Sequence, residues 1–305
     1  MKYINPGMCQ LFQYQTLNQS SIGIDEELNY TKTGHYINLS SNDSDIFYKE
    51  VDDTKTMNLL FDICVYMQSA TSVVRNWSKL IDFYNVMTPS DVLELVYKQL
   101  KSNQYQFAFR TKNGNIIGEQ FYLNANEIHS IELSISRNIV TTISVYIDGK
   151  LKHVISDTSL GDGILNRFNV YCVYQDYVIV AMSHIIYSDT SLIGNERIKM
   201  LKVFPQSQVL PNGQSADYTI TEILDDTMYK DIVGFGVISN VENTDNKTTT
   251  INTLLNTYLI DEEYDVNPNT TYYRTAYIET NPETEEAFVP SQITNAKITL
   301  ESSYD

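Results

Sequence analysis

The stretch TTISVYIDGKLKHV, Thr141 to Val154, reads as two short strands joined by a tight turn. Ile143, Val145 and Ile147 alternate with Thr142, Ser144 and Tyr146, the period of a half-buried strand. Asp148-Gly149 supplies two residues that tolerate positive φ, as a two-residue hairpin requires. Leu151 and Val154 then resume the apolar pattern. These residues are scaffold, and none of them is chemical.

Working outward, short strands follow one another with turn residues between them. GHYINLSS from Gly34 and IFYKEV after Asn42 to Asp45 are the first two. In MNLLFDICVYMQ, Met57, Leu59, Phe61, Ile63 and Val65 share one face, while Leu60, Cys64 and Tyr66 make the other face apolar too. Such a strand is covered on both sides. Thr88-Pro89-Ser90-Asp91 reads either as the cap of a helix over Val92 to Lys101 or as the approach to a strand through LELVY; strands on both sides favour the strand. QYQFAFRT, the turn Lys112 to Asn115, IIGEQFYL and IHSIELSIS lead into the hairpin, and RFNVYCVYQ and DYVIVAMSHIIYSD follow it. Many short strands with few helix signals predict an antiparallel sandwich or jelly roll.

Residues 1 to 21 lack periodicity and read as an N-terminal arm. KVFPQSQVLPNGQSADYT carries two prolines and a glycine among polar residues, which places a linker at 204–217. Residues 22–203 are then one β domain. IVGFGVIS, TTTINTLLNTYLI, TYYRTAYIET and NAKITLES form a smaller C-terminal β domain over 218–305.

Of 305 residues, 38 are acidic and 21 basic, a formal charge of −17 that opposes binding to a phosphate backbone, and the basic residues are scattered. No nucleic-acid partner is expected. No apolar run reaches membrane-spanning length and the N-terminus has no secretory h-region, so neither membrane nor secretory export is expected. Cys9, Cys64 and Cys172 show no CxxC or ligand spacing, which predicts free thiols in a reducing cytoplasm.

The order GHYINL, LLFDICVY, FAFRTKNGNI, IHSIELSI, ISVYIDGKL, RFNVYCVY and VAMSHIIYSD resembles the concanavalin A-like or laminin G-like jelly roll. IIYSDTSLIGNERIKMLKVFP, ADYT and the C-terminal TYYRTAYIETNPETEEAFVPSQITNAKITLES are similar to virion proteins of tailed bacteriophages. Those proteins can join such a domain to a small β domain with a P-x-T-G-x-x-W kind of turn. Here Pro282, Thr284 and Phe288 hold the matching positions, with Glu285 in place of Gly and Phe in place of Trp. The resemblance implies an all-β chain, a concanavalin A-like jelly-roll sandwich plus a small β-sandwich-like domain. It also implies a non-enzymatic virion component, a head fibre, capsid decoration or tail accessory subunit. Its partners would be other virion proteins and copies of itself, and it would be made in the host cytoplasm.

Chemistry is sparse. Glucanases of concanavalin A-like fold carry E-x-D-x-x-E on one strand; Glu50-Val51-Asp52 comes nearest, with Lys55 where the second Glu is needed. His35, His129, His153 and His184 lack ligand spacing. The expectation is no catalysis. Calcium is the candidate cofactor, because lectin-like sandwiches hold it with loop oxygens, and Asn42, Asp43, Asp45, Asp157 and Asp162 are its candidate ligands; turn formation explains the same residues. The alternative function is a carbohydrate-binding adhesin for a host surface glycan. Its candidate platform is Trp77, the only tryptophan, beside Arg75 and Asn76.

Overall fold

The computed structural model describes residues 2–5, 22–24, 35–38, 46–67, 76–101, 103–158, 160, 162–171, 178–194, 201, 203–205, 207–221, 223–224, 232, 234–260, 264–294 and 296–304. The chain divides into two compact units, Met1–Ile198 and Lys199–Asp305. All strand pairing among the described residues is antiparallel, so the all-β reading is borne out.

The first unit is a two-sheet sandwich of jelly-roll kind. Its strands are β1 (Lys2–Asn5), β2 (Ile22–Ile24), β3 (His35–Asn38), β4 (Ile46–Thr54), β5 (Thr56–Met67), β6 (Ser78–Asn85) and β7 (Thr88–Lys101). They continue with β8 (Gln104–Thr111), β9 (Ile116–Asn124), β10 (Ile128–Arg137), β11 (Thr141–Ile147), β12 (Lys150–Asp157), β13 (Leu165–Tyr171) and β14 (Val178–Ser188). One sheet runs β12-β11-β10-β5-β14-β3-β2 with β1 also on β14, and the other β4-β13-β6-β7-β8-β9. Inward residues of both sheets share one core, among them Leu59, Phe61, Leu133 and Val145 facing Phe83, Leu95, Phe107 and Phe168. LELVY therefore lies in a strand, and the helix over 92–101 does not form.

The opening hairpin closes as its sequence requires. Asp148 and Gly149 have φ of 51° and 74°, the left-handed positions of a two-residue turn. Asp148 also binds the next strand: its N–H donates to the Ser130 carbonyl at 2.8 Å and its Oδ1 accepts from the Ser130 N–H at 3.0 Å. The turn pairs Ile147 with Lys150, so Leu151 falls opposite Tyr146 and Val154 opposite Ser144. Both therefore stand on the outer face, exposed, and only Ile155 of β12 reaches the core. The apolar pattern expected to resume at Leu151 does not face inward.

β5 is buried on both faces. Leu60 meets Ile186 and Ile193 on the side away from the main core. The Glu132 carboxylate, itself buried, accepts the backbone N–H groups of Ile193 (2.5 Å) and Gly194 (3.0 Å) and ties that segment down. Cys64 is a free, buried thiol.

Two boundaries differ from the sequence reading. Lys2–Asn5, expected within an arm, pairs with Ser188 to Ile185 and extends the sheet; residues 6–21 lie outside the described residues. The stretch read as a linker belongs to the second unit. β15 (Val203–Phe204) pairs with the end of β16 (Ser215–Ile220), and the Gln208 amide donates to the Asp217 carbonyl at 2.5 Å. Prolines and glycine there mark turns of a folded unit, not a tether.

The second unit adds β17 (Phe235–Asn243), β18 (Thr249–Leu255), β19 (Tyr258–Leu259), β20 (Tyr264–Val266), β21 (Thr270–Ile278), a short helix α1 (Pro290–Thr294) and β22 (Lys297–Tyr304). The sheet β15-β16-β22-β18-β19, with β20 on β18, packs against the β17-β21 ribbon through Ile220, Leu255 and Ile298 on one side and Phe235, Val237 and Ala276 on the other. The turn singled out in the sequence has a defined form. Asn281 exchanges backbone hydrogen bonds with Glu285 and Glu286 at 2.8 Å, Glu285 has φ of 59°, and Phe288 is buried beside Phe235. Glu285 thus holds the left-handed conformation that the matching glycine would adopt without a Cβ penalty.

Candidate functional site

The two groups of residues singled out for ligands are only partly described. Arg75, Asn42, Asp43 and Asp45 lie outside the described residues. Asn76 is exposed, and Trp77 is half-buried at the start of β6 with the Lys98 ammonium 4.3 Å from its ring centroid. One face of that ring is therefore taken by a cation. Asp157 ends β12, whereas Asp162 is exposed and ion-paired with Lys55 at 2.8 Å. Among the described residues, no three His, Cys, Asp or Glu side chains converge as a metal site.

A different constellation stands on the outward face of the six-stranded sheet. Strand register places Asn169 of β13 opposite Asp82 of β6, Asp82 opposite Glu94 of β7, and Glu94 opposite Arg110 of β8. Cross-strand partners share a face, so these four side chains form one row over four adjacent strands. Lys79 joins them through a bulge. Lys79 pairs with Val96 and Ile81 with Leu95, leaving Leu80 as an extra residue. In a regular strand, positions 79 and 82 would point to opposite faces; the added residue brings both outward.

Hydrogen bonds lock the row. Lys79 Nζ lies 2.6 Å from Glu94 Oε1 and 3.3 Å from Asp82 Oδ2, and Arg110 Nε donates to Glu94 Oε2 at 2.5 Å. The Tyr171 hydroxyl donates to Asp82 Oδ2 at 2.5 Å, and the Lys79 ammonium sits 4.5 Å from the Tyr171 ring centroid. Asn169 Nδ2 donates to the hydroxyls of Tyr84 and Tyr171, and its Oδ1 accepts from Arg167 Nε at 3.0 Å. Further along the face, Gln106 hydrogen-bonds Gln120 and the Tyr122 hydroxyl. Val96 and Ala108 form an apolar floor between these groups.

The carboxylates are the recessed members. Side chains of Asp82 and Glu94 are 4% and 7% exposed, against 29% for Lys79 and 23% for Arg110. Burial pushes the Asp82 carboxyl above its ordinary value, against the Tyr171 hydrogen bond and the Lys79 charge. Burial opposes the Lys79 charge, but the Glu94 hydrogen bond and the negative charges around it raise its pKa on balance. Burial, then Asp82, push the Tyr171 hydroxyl up to about 12. A tyrosine raised in the folded state supplies stability that is complete below its unfolded pKa near 10 and lost as pH rises towards about 12. Tyr171→Phe is therefore expected to flatten the loss of stability between pH 10 and about 12, read by urea denaturation at each pH; an unchanged alkaline slope would refute the assignment.

The sequence reading missed this row. Its signal is a charged or amide residue inside each of four otherwise apolar strands: Asp82 in LIDFY, Glu94 in LELVY, Arg110 in FAFRT and Asn169 in RFNVY. One such residue is an accident of composition; four in register are a surface.

The first unit is thus an antiparallel β-sandwich that carries a prearranged polar face. No family model and no curated protein sequence matches the chain. Solved structures with a similar fold include the binding domain of botulinum neurotoxin serotype G (12% identity, 56% of this chain and 43% of that one, TM-score 0.38). Another is the serotype D ligand-binding domain in complex with N-acetylneuraminic acid (13% identity, 56% and 43%, TM-score 0.38). A third is the endo-β-1,4-glucuronan lyase of the fungus Trichoderma reesei (13% identity, 62% and 95%, TM-score 0.39). The chain matches 43% of the length of each of these neurotoxin domains.

Proposed function

We propose that the first unit is a non-enzymatic carbohydrate-recognition module whose ligand lies across the outward face of the six-stranded sheet. The observation that carries this reading is the locked row Asn169, Asp82, Glu94 and Arg110 with Lys79 and Tyr171. Sugar hydroxyls are recognised by planar amide, guanidinium and carboxylate groups, and sugar rings lie against aromatic faces. Tyr84, Tyr122 and Tyr171 border the row, and Trp77 with Lys98 stands on the same face. Side chains already held by one another lose little freedom when a ligand arrives.

Binding without cleavage follows from the state of the carboxylates. Glycoside hydrolysis needs one carboxyl to reach the leaving oxygen and another to reach the anomeric carbon or its water. Asp82 and Glu94 are recessed and bridged by Lys79, so neither stands open to a sugar.

The setting proposed is the surface of a tailed-bacteriophage particle, where the chain contacts a host glycan alone or as one of several copies. The sequence resemblance and the turn around Glu285 and Phe288 support that setting. Labelled protein is expected to bind intact host cells saturably and to be displaced by their soluble surface polysaccharide. Absence of binding, with antibodies against the chain still decorating intact particles, would replace recognition by a structural decoration role.

A further inference from the structure

We infer that the ligand of this face is an acidic polysaccharide, a glycan whose repeating unit bears a carboxylate or a sulfate; this rests on the glycan-binding reading above. The argument is the vertical arrangement of charge. Asp82 and Glu94 lie at the floor, each already bound to a cation or a hydroxyl, while the more exposed Lys79 and Arg110 stand over them. Arg167 and Lys98 add two further positive charges to the same face, held by Asn169 and by the Trp77 ring and not by described carboxylates. The row and its flanks therefore carry four cations against two recessed anions, on a chain whose formal charge is −17. Such a local reversal of sign needs an acceptor ligand to explain it.

Arg110 shows how that ligand would be held. Its Nε is committed to Glu94 Oε2, which fixes the guanidinium plane. The Nη groups make no hydrogen bond to described residues, so the outer edge of the fork remains available for two parallel bonds to a carboxylate or sulfate. Lys98 meets the ligand as a point charge, and Tyr122, 47% exposed, offers a ring beside it. Nucleic acid fits less well. Its dense phosphate charge would meet four cations on a strongly acidic chain, and repulsion from the rest of the surface opposes its approach.

The test titrates the full chain with polygalacturonate, a polyuronate, with dextran sulfate, and with neutral dextran, at low and at physiological ionic strength. Saturable binding to the uronate or the sulfate ester, weakened by salt and at least about tenfold tighter than to dextran, is expected. Arg110→Lys keeps a cation for Glu94 but removes the fork, and Lys98→Ala leaves the ion-pair row untouched. Each is expected to weaken acidic-glycan binding by about tenfold. Equal binding of dextran would overturn the acidic inference while leaving glycan recognition intact. Binding of none of these polymers, together with no displacement from host cells by surface polysaccharide, would overturn both. Acidic-glycan binding indifferent to both substitutions would move the site elsewhere and overturn the inference. Equally tight binding of single-stranded DNA would reduce the face to a general polyanion surface and overturn it as well.

Discussion

Phe107→Ala is expected to lower the stability of the first unit by about 3–5 kcal/mol. Phe107 is fully buried and stands in register between Tyr97 on β7 and Phe121 on β9. Its ring stacks on both, with centroids 5.8 Å and 5.3 Å away and interplanar angles of 26° and 12°. Truncation removes the transfer free energy of the ring, two aromatic contacts, and the packing of a site whose walls are strands that cannot collapse inward. The measurement is convenient because the only tryptophan, Trp77, lies in this unit. Fluorescence-detected urea unfolding thus follows the sandwich without the second unit, which matters in a chain whose two units need not unfold together. A loss below 1 kcal/mol would mean that the three rings are not the centre of the core.

Glu94→Ala is expected to lower stability by about 2–3 kcal/mol, somewhat less than a fully buried pair because its cations reach solvent. The substitution strips Lys79 of its shorter contact and leaves the Arg110 guanidinium on a mostly buried floor with no carboxylate. Glu94→Gln keeps the shape and one acceptor and is expected to fall between the two. The pairwise part is obtained from a cycle with Arg110→Met, for which a coupling of about 1–2 kcal/mol is expected. If Glu94→Ala is neutral, the row is a solvated surface and its geometry is not enforced. That result would remove the basis for treating the face as preorganised.

The sandwich was legible because its signals are local. Alternation in TTISVYI, the Asp148-Gly149 turn and the two-sided apolar run around Phe61 each depend on neighbours a few residues away. The boundary between units was less so. Val203 and Phe204 are a two-residue strand whose partner, Thr219 and Ile220, comes after the prolines, so nothing nearby marks them as paired. The polar face was illegible for a stronger reason. Asn169 and Asp82 are brought together by pairing of strands far apart in the chain, and Lys79 reaches the same side only because a residue is inserted. Catalytic or ligand spacing within one strand could not have revealed a site whose members sit on four. Trp77, conspicuous as a lone tryptophan, lies beside Lys98 at the flank of the row and not within it.

The extra residue at Leu80 acts as a phase shift in the strand. Upstream of it, odd-numbered positions face outward; downstream, even-numbered ones do, so β6 carries two incompatible alternations joined at one point. The surface chemistry of this sheet is therefore set by chain length as much as by residue type. Lengthening or shortening the strand there by one residue would keep every amino acid of the row and still turn one end of it into the core.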